Sequence, residues 1–73
     1  MDWKKNDYGN LVYWTSDGFI LTVYQKKGKG FFWSIREGMT GRVQFSEDGF
    51  PSDEAAVADV TFTFSSGKFN PSR

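Results

Sequence analysis

Aromatic and basic side chains recur through the first half of the chain in a pattern that suits binding by stacking and charge. Interpreted as strands, these segments place rings and cations on one side of a sheet: Tyr13, Tyr24, Phe32, Arg36 and Arg42, beside Lys26, Lys27 and Lys29 of the turn KKGKG. Bases of single-stranded nucleic acid stack on such rings while cations follow the phosphate backbone. Aromatic and arginine side chains also dominate binding at protein interfaces. These eight residues form the predicted binding site.

Three structural roles compete with binding for the same rings. The rings could form a second small core, pack under the N-terminal segment, or form a dimer interface that includes Trp3 and Tyr8. The lysine run is typical of a solvated turn, with phosphate contact as the alternative. No helix follows it, so it is not a phosphate-cradling loop.

Candidate catalytic groups are few. Glu47, Asp48, Asp53 and Glu54 cluster around one loop, where they suit helix capping, a basic partner or imitation of a nucleic-acid backbone. A glycosidase pair of carboxylates needs a cleft, for which 73 residues leave little volume. The absence of cysteine and histidine excludes disulfides, thiolate or imidazole metal sites, and nucleophiles activated by imidazole. We therefore expect a protein that is not an enzyme and uses no cofactor.

Length and charge narrow the class further. A chain of 73 residues forms one small domain, and its 19% aromatic content supplies the core that so short a chain needs. Nine basic and nine acidic side chains cancel, which argues against a duplex-DNA-binding protein. The charge is nevertheless divided, because residues 1–30 carry five lysines against three aspartates and residues 31–60 two arginines against six carboxylates. No apolar run is long enough for a membrane span, so a cytoplasmic protein without membrane contact is expected.

Alternating apolar residues predict the strands that position these groups. LVYWTS and FILTVYQ flank Asp17 and Gly18, which suit a two-residue hairpin turn. That turn would pair Trp14 with Leu21 and direct both inward, leaving Tyr13 outward. FFWSIRE predicts a third strand, with Phe32 and Arg36 outward. RVQFS predicts a short fourth strand, with Val43 and Phe45 inward.

The segment DEAAVADVTFTF carries both a helical and a strand period. Ser52 is a good N-cap, Asp53 and Glu54 suit a first turn, and Gly67 suits the residue after a helix. No turn residue stands between these signals, so one helix over about residues 53–66 is favoured. The β-branched residues oppose it by under about 2 kcal/mol in total, which burial against a sheet offsets.

The predicted fold is therefore α+β, an antiparallel meander of three or four strands followed by one C-terminal helix, with a small OB-like barrel as the alternative. Residues 1–10 are expected to be a tail or short edge strand, residues 11–66 the domain, and residues 67–73 a C-terminal tail. The predicted core is Val12, Trp14, Phe19, Leu21, Val23, Phe31, Trp33, Ile35, Val43, Phe45, Val57, Val60 and Phe64.

Three resemblances accompany this prediction. GFFWSIREG followed by FSEDGFPSDEAAVAD resembles small proteins of phages and mobile elements, which implies a sheet followed by one helix and a mobile-element origin. KGFF, VQFS and VTFTFSSGK are similar to strands of cold-shock domains, barrels that bind single-stranded nucleic acid, although Phe32 and Gln44 replace residues of their stacking motifs. SIRE resembles the sheet of single-strand-binding transcriptional coactivators.

These features predict a small binding module that contacts another protein as an inhibitor or adaptor. A homodimer is one form of that contact. The alternative is a single-stranded nucleic-acid-binding protein that uses Tyr24, Phe32, Lys26, Lys27, Lys29 and Arg36.

Overall fold

Five antiparallel strands and one helix make up the fold. A computed structural model describes residues 2–67. The strands are β1 (Lys4–Lys5), β2 (Leu11–Trp14), β3 (Phe19–Lys26), β4 (Gly30–Glu37) and β5 (Val43–Phe45), in the spatial order β1-β2-β3-β4-β5, and the helix is α1 (Asp53–Ser65). The predicted α+β class, meander and single C-terminal helix are confirmed. The sheet has five strands because Lys4–Lys5 adds an edge, and it is open, so the barrel alternative is wrong.

The hairpin between β2 and β3 has a three-residue loop instead of the predicted two-residue turn. Thr15 N–H donates to the Phe19 carbonyl at 2.9 Å, and Gly18 N–H donates to the Thr15 carbonyl at 3.2 Å. Gly18 has φ 91°, the left-handed conformation that closes such loops. Thr15 Oγ1 also accepts a bond from Phe19 N–H at 2.9 Å, which fixes the loop against the start of β3.

This extra loop residue shifts the register of β2 by one and exchanges its two faces. Tyr13 lies opposite Leu21, and Trp14 lies opposite Ile20. Directly opposed residues share a face, so Leu11 and Tyr13 face the helix while Val12 and Trp14 face away. The predicted core positions of Val12 and Trp14 are therefore wrong, and so is the outward position of Tyr13.

Strand β5 also presents the face opposite to the predicted one. Val43 pairs with Arg36 and Phe45 with Ser34, which places both apolar side chains on the side away from the helix. Glu37 N–H donates to the Arg42 carbonyl at 2.8 Å, and this bond across the turn sets the register. Val43 and Phe45 consequently lie outside the core, and Gln44 takes the position facing the helix side.

The core lies between α1 and the two long central strands. Leu21 and Ile35 are opposed and fully buried. In the next pair, Val23 is fully buried and Trp33 nearly so. The helix covers them with Ala56 and Val60, and a half-buried rim packs around this centre: Trp3, Leu11, Tyr13, Phe19, Phe31, Phe50, Val57 and Phe64. Burial of each large apolar side chain contributes about 1.5–3 kcal/mol, so this layer supplies most of the domain's stability.

Helix α1 begins at the predicted residue and ends at Ser65, one residue before the predicted end. Ser52 is the N-cap, and its Oγ accepts a hydrogen bond from Ala55 N–H at 3.1 Å. Asp53 and Glu54 lie in the first turn, where the positive end of the helix dipole stabilises their carboxylates. Gly67 follows the helix with φ 72°, the conformation expected of the residue that ends it. The predicted C-terminal tail lies outside the described residues beyond Gly67.

The loop before the helix is attached to the sheet at the start of β4. Phe50 and Phe31 exchange two backbone hydrogen bonds of 2.7 and 2.9 Å. A Cβ at Gly49 would lie 2.6 Å from the Lys29 carbonyl oxygen, so only glycine allows this approach. The loop therefore holds the beginning of α1 over the central strands. Within residues 2–67, no helix has the length and apolar character to cross a membrane.

Candidate sheet-face interface

The side of the sheet turned away from α1 is the candidate site, and we call it the outer face. Helix α1 packs against β3 and β4 on the other side of the sheet. The loop before α1 reaches the Phe32 end of the outer face, where a Cβ added at Gly49 would lie 3.0 Å from Phe32 Cζ. Besides Gly30, cross-strand pairing assigns twelve strand residues to it: Lys4, Val12, Trp14, Ile20, Thr22, Tyr24, Lys26, Phe32, Ser34, Arg36, Val43 and Phe45. Seven are apolar or aromatic, three are cationic, and none is a carboxylate.

One end of the outer face is an aromatic pair with a cation above it. The rings of Tyr24 and Phe32 stack with centroids 6.1 Å apart and planes 23° from parallel. Lys26 Nζ lies 4.8 Å from the centroid of the Phe32 ring, within the range of a cation–π contact. Partial burial raises the pKa of the Tyr24 phenol, because desolvation disfavours its charged form. The pair is a neutral stacking surface bordered by positive charge.

The opposite end is a row of apolar side chains interrupted by one arginine. Trp14, Ile20, Arg36 and Val43 follow one another across four strands. Trp14 is 71% exposed and Phe45, one row away, is 56% exposed. Isolated exposed apolar side chains are ordinary, but contiguous ones on an uncovered face mark an interaction surface.

The structure separates the eight predicted site residues into distinct locations. Tyr24, Phe32, Lys26 and Arg36 share the outer face, although Arg36 stands four residues along β4 from Phe32, about 13 Å away. Tyr13 lies on the helix side, with its ring 5.7 Å from that of Trp3. The remaining three are exposed and outside the strands: Lys27 and Lys29 in the β3–β4 turn, and Arg42 just before β5.

Sequence reasoning missed the apolar part of this face. The two-residue turn predicts Trp14 in the core. Alternation with the polar residues Arg42, Gln44 and Ser46 predicts the same for Val43 and Phe45. The sequence from Thr15 to Gly18 also suits a three-residue hairpin loop that ends in a left-handed glycine, the next most common connection after the two-residue type. That loop is the signal that could have placed Trp14 on the outer face.

The two possible dimer residues suggested by the sequence are also separated. Trp3 packs against the core of its own chain, whereas Tyr8 is 88% exposed in the turn before β2. Trp3 is therefore used for folding, and only Tyr8 is presented to solvent.

Helix α1 and the loop before it carry a group of acidic residues. Helix α1 carries three carboxylates and no lysine or arginine. Asp59 shares a groove of about 500 Å³ with Glu47 and Asp48. The three cations of the outer face, Lys4, Lys26 and Arg36, therefore lie on the other side of the sheet from the carboxylates of α1.

The carboxylates of α1 contribute to the fold. Asp59 Oδ2 accepts a hydrogen bond of 2.7 Å from Trp33 Nε1, which links helix to sheet. Asp53 and Glu54 occupy the first helical turn. Within residues 2–67, no three acidic side chains are grouped closely enough to hold a metal ion.

No family model, curated protein or solved structure matches this chain.

Proposed function

We propose that this protein is a small non-enzymatic binding module of phage or mobile-element type that acts in the cytoplasm as an inhibitor or adaptor. It binds another protein with the outer face of its sheet. The observation that supports this most directly is the uncovered apolar row around Trp14, together with Phe45. Large aromatic side chains and arginine are the residues that contribute most to protein interfaces.

The apolar composition favours a protein as the partner. The outer face carries three half-buried aliphatic side chains, Val12, Ile20 and Val43. Aliphatic side chains contribute little to the stacking of nucleic-acid bases. Their burial under apolar side chains of another protein, in contrast, stabilises a complex. The cations around this surface select a partner of opposite charge and accelerate encounter with it.

Two phenylalanines provide a matched test. Phe45 on the outer face is 56% exposed, and Phe62 on the helix is 60% exposed. Wild type, Phe45→Ser and Phe62→Ser are immobilised and incubated with a bacterial lysate, and captured proteins are quantified by mass spectrometry. We expect a partner retained by wild type and Phe62→Ser and reduced at least about tenfold by Phe45→Ser.

Capture that is equal for the two variants would exclude the outer face as the interface. Sedimentation of the free protein is measured in parallel. A dimer that Phe45→Ser dissociates and Phe62→Ser leaves intact would identify a second copy of the chain as the partner protein.

Single-stranded nucleic acid is the second candidate ligand, favoured by the stacked pair Tyr24 and Phe32 with Lys26 beside it. The other cations of this hypothesis are Lys27, Lys29 and Arg36. A labelled oligothymidylate is titrated at about 50 mM and about 200 mM salt, because phosphate contacts weaken steeply with salt. Salt-sensitive binding lost in Phe32→Ala supports this candidate, and absence of binding at the lower salt rejects it.

A further inference from the structure

A groove crosses the apolar half of the outer face between β3 and β5. It encloses about 430 Å³. Its lining combines three apolar side chains, two hydroxyls and one guanidinium: Ile20, Val43, Phe45, Thr22, Ser34 and Arg36. The groove therefore offers an apolar surface to a ligand, with a single positive charge, the Arg36 guanidinium, among its lining side chains.

Arg36 is exposed and has apolar neighbours on its own face. Its directly opposed partners in the adjacent strands are Ile20 and Val43. The guanidinium lies near the backbone of the turn before β5, since a Cβ added at Gly41 would stand 4.0 Å from Arg36 Nη2. The strand positions of the outer face contain no carboxylate, so none of them neutralises this charge.

Covering this groove has an electrostatic consequence. A protein that removes Ile20 and Val43 from water also desolvates Arg36, which stands between them on β4. A buried charge without a partner is strongly unfavourable, whereas arginine and carboxylate form paired, charge-assisted hydrogen bonds in a planar geometry. An occupant that fills the groove must therefore bring an anion to Arg36.

We propose that the partner protein presents an aspartate or glutamate, flanked by apolar side chains, to Arg36 in this groove. This inference rests on the proposed function and names the chemistry of the partner. The flanking side chains contact the apolar lining, and the carboxylate accepts two hydrogen bonds from the guanidinium. A phosphate would satisfy the charge but leave the aliphatic surface of Ile20 and Val43 uncovered.

A random peptide library displayed on phage tests this specificity without a known partner. Sequences selected by the wild-type protein are synthesised with a fluorescent label and titrated against wild type, Arg36→Gln and Lys5→Gln. The two variants remove the same charge from exposed positions, one in the groove and one on β1, where Lys5 pairs with Leu11 on the helix side of the sheet.

We expect selected peptides to contain an acidic residue beside apolar residues. Arg36→Gln should weaken their binding at least about tenfold, and Lys5→Gln less than about twofold. Replacing the peptide carboxylate by its amide should cause a similar loss in wild type but little further loss in Arg36→Gln, because both changes remove the same interaction.

Three results would overturn the inference: no enriched sequence, enriched sequences without acidic residues, or equal binding to Arg36→Gln. Oligothymidylate binding that depends on Arg36, without peptide binding, would assign the arginine to nucleic acid instead. Lysate capture sensitive to Phe45→Ser but not to Arg36→Gln would retain the proposed function and reject the acidic partner. Thermal melts by circular dichroism check that Arg36→Gln folds like wild type.

Discussion

Two tryptophans on opposite faces of the sheet give the sharpest prediction of this fold. Trp33 is 4% exposed, and its indole N–H donates to Asp59, whereas Trp14 is 71% exposed. A tryptophan side chain offers roughly 200 Å² for burial, worth about 5 kcal/mol at ~25 cal/mol per Å² if fully covered. Less than a third of Trp14 is covered, so its contribution is about 1.4 kcal/mol at most.

The same substitution should therefore have very different effects at the two positions. Trp33→Ala should lower the free energy of unfolding by about 3–5 kcal/mol, including the cavity it leaves. A domain of this length is expected to have a total stability on the order of 4–11 kcal/mol. Trp33→Ala is thus largely unfolded or close to it at 25 °C, while Trp14→Ala remains folded.

Urea denaturation followed by far-UV circular dichroism measures both variants without relying on tryptophan emission. The difference between the two midpoints tests the hairpin register, because the two-residue turn would bury Trp14 and expose Tyr13. A cooperative transition for Trp33→Ala near that of wild type would refute its place in the core. Unfolding of Trp14→Ala, with Tyr13→Ala unaffected, would refute the three-residue loop.

Four further predictions concern the N-cap of α1, the close backbone approach at Gly49, the Trp33–Asp59 hydrogen bond and the titration of Tyr24. Ser52→Ala should cost about 1 kcal/mol in urea denaturation, since the helix loses its N-cap acceptor. Gly49→Ala should cost about 1–3 kcal/mol, because its methyl group would overlap a backbone oxygen; an unchanged midpoint would contradict this approach. Asp59→Ala should cost about 1.5–3 kcal/mol by leaving the Trp33 indole N–H unpaired, and Trp33→Phe should remove most of that effect in a double-mutant cycle. The pKa of Tyr24 is raised in the folded state, so its share of stability is present below the ordinary tyrosine pKa of about 10 and is lost as pH rises through the folded pKa. Tyr24→Phe should lose less stability than wild type between pH 9 and pH 11, roughly the range over which tyrosine ionises, and equal losses would argue against burial as the cause.

Local chemistry was sufficient to predict the helix. Its cap, first turn and following glycine are each specified by one residue and its neighbours, so Ser52 and Gly67 define both ends independently of the rest of the chain. The alternation along β4 was also predictable, because Trp33 and Ile35 contrast with Ser34 and Arg36 in polarity. Both predictions follow from residues within one element.

The candidate site was only partly predictable. Phe32 and Tyr24 were correctly placed on one face because β3 and β4 carry clear alternation. Strand β2 has no such contrast, since Leu11 and Tyr13 on one side are about as apolar as Val12 and Trp14 on the other. A polarity pattern cannot orient a strand whose two sides are equally apolar.

The amino-acid sequence by itself determined the number of layers, the position of the helix and the two central strands, because caps, glycines and alternating polarity act over a few residues. Tertiary structure decided which side chains form the outer face. One extra residue in the loop before Phe19 reverses β2, and the backbone bond between Glu37 and Arg42 fixes β5 with Val43 and Phe45 outward. Register is set by hydrogen bonds between strands, and a shift of one residue exchanges every side chain between the core and the surface that binds.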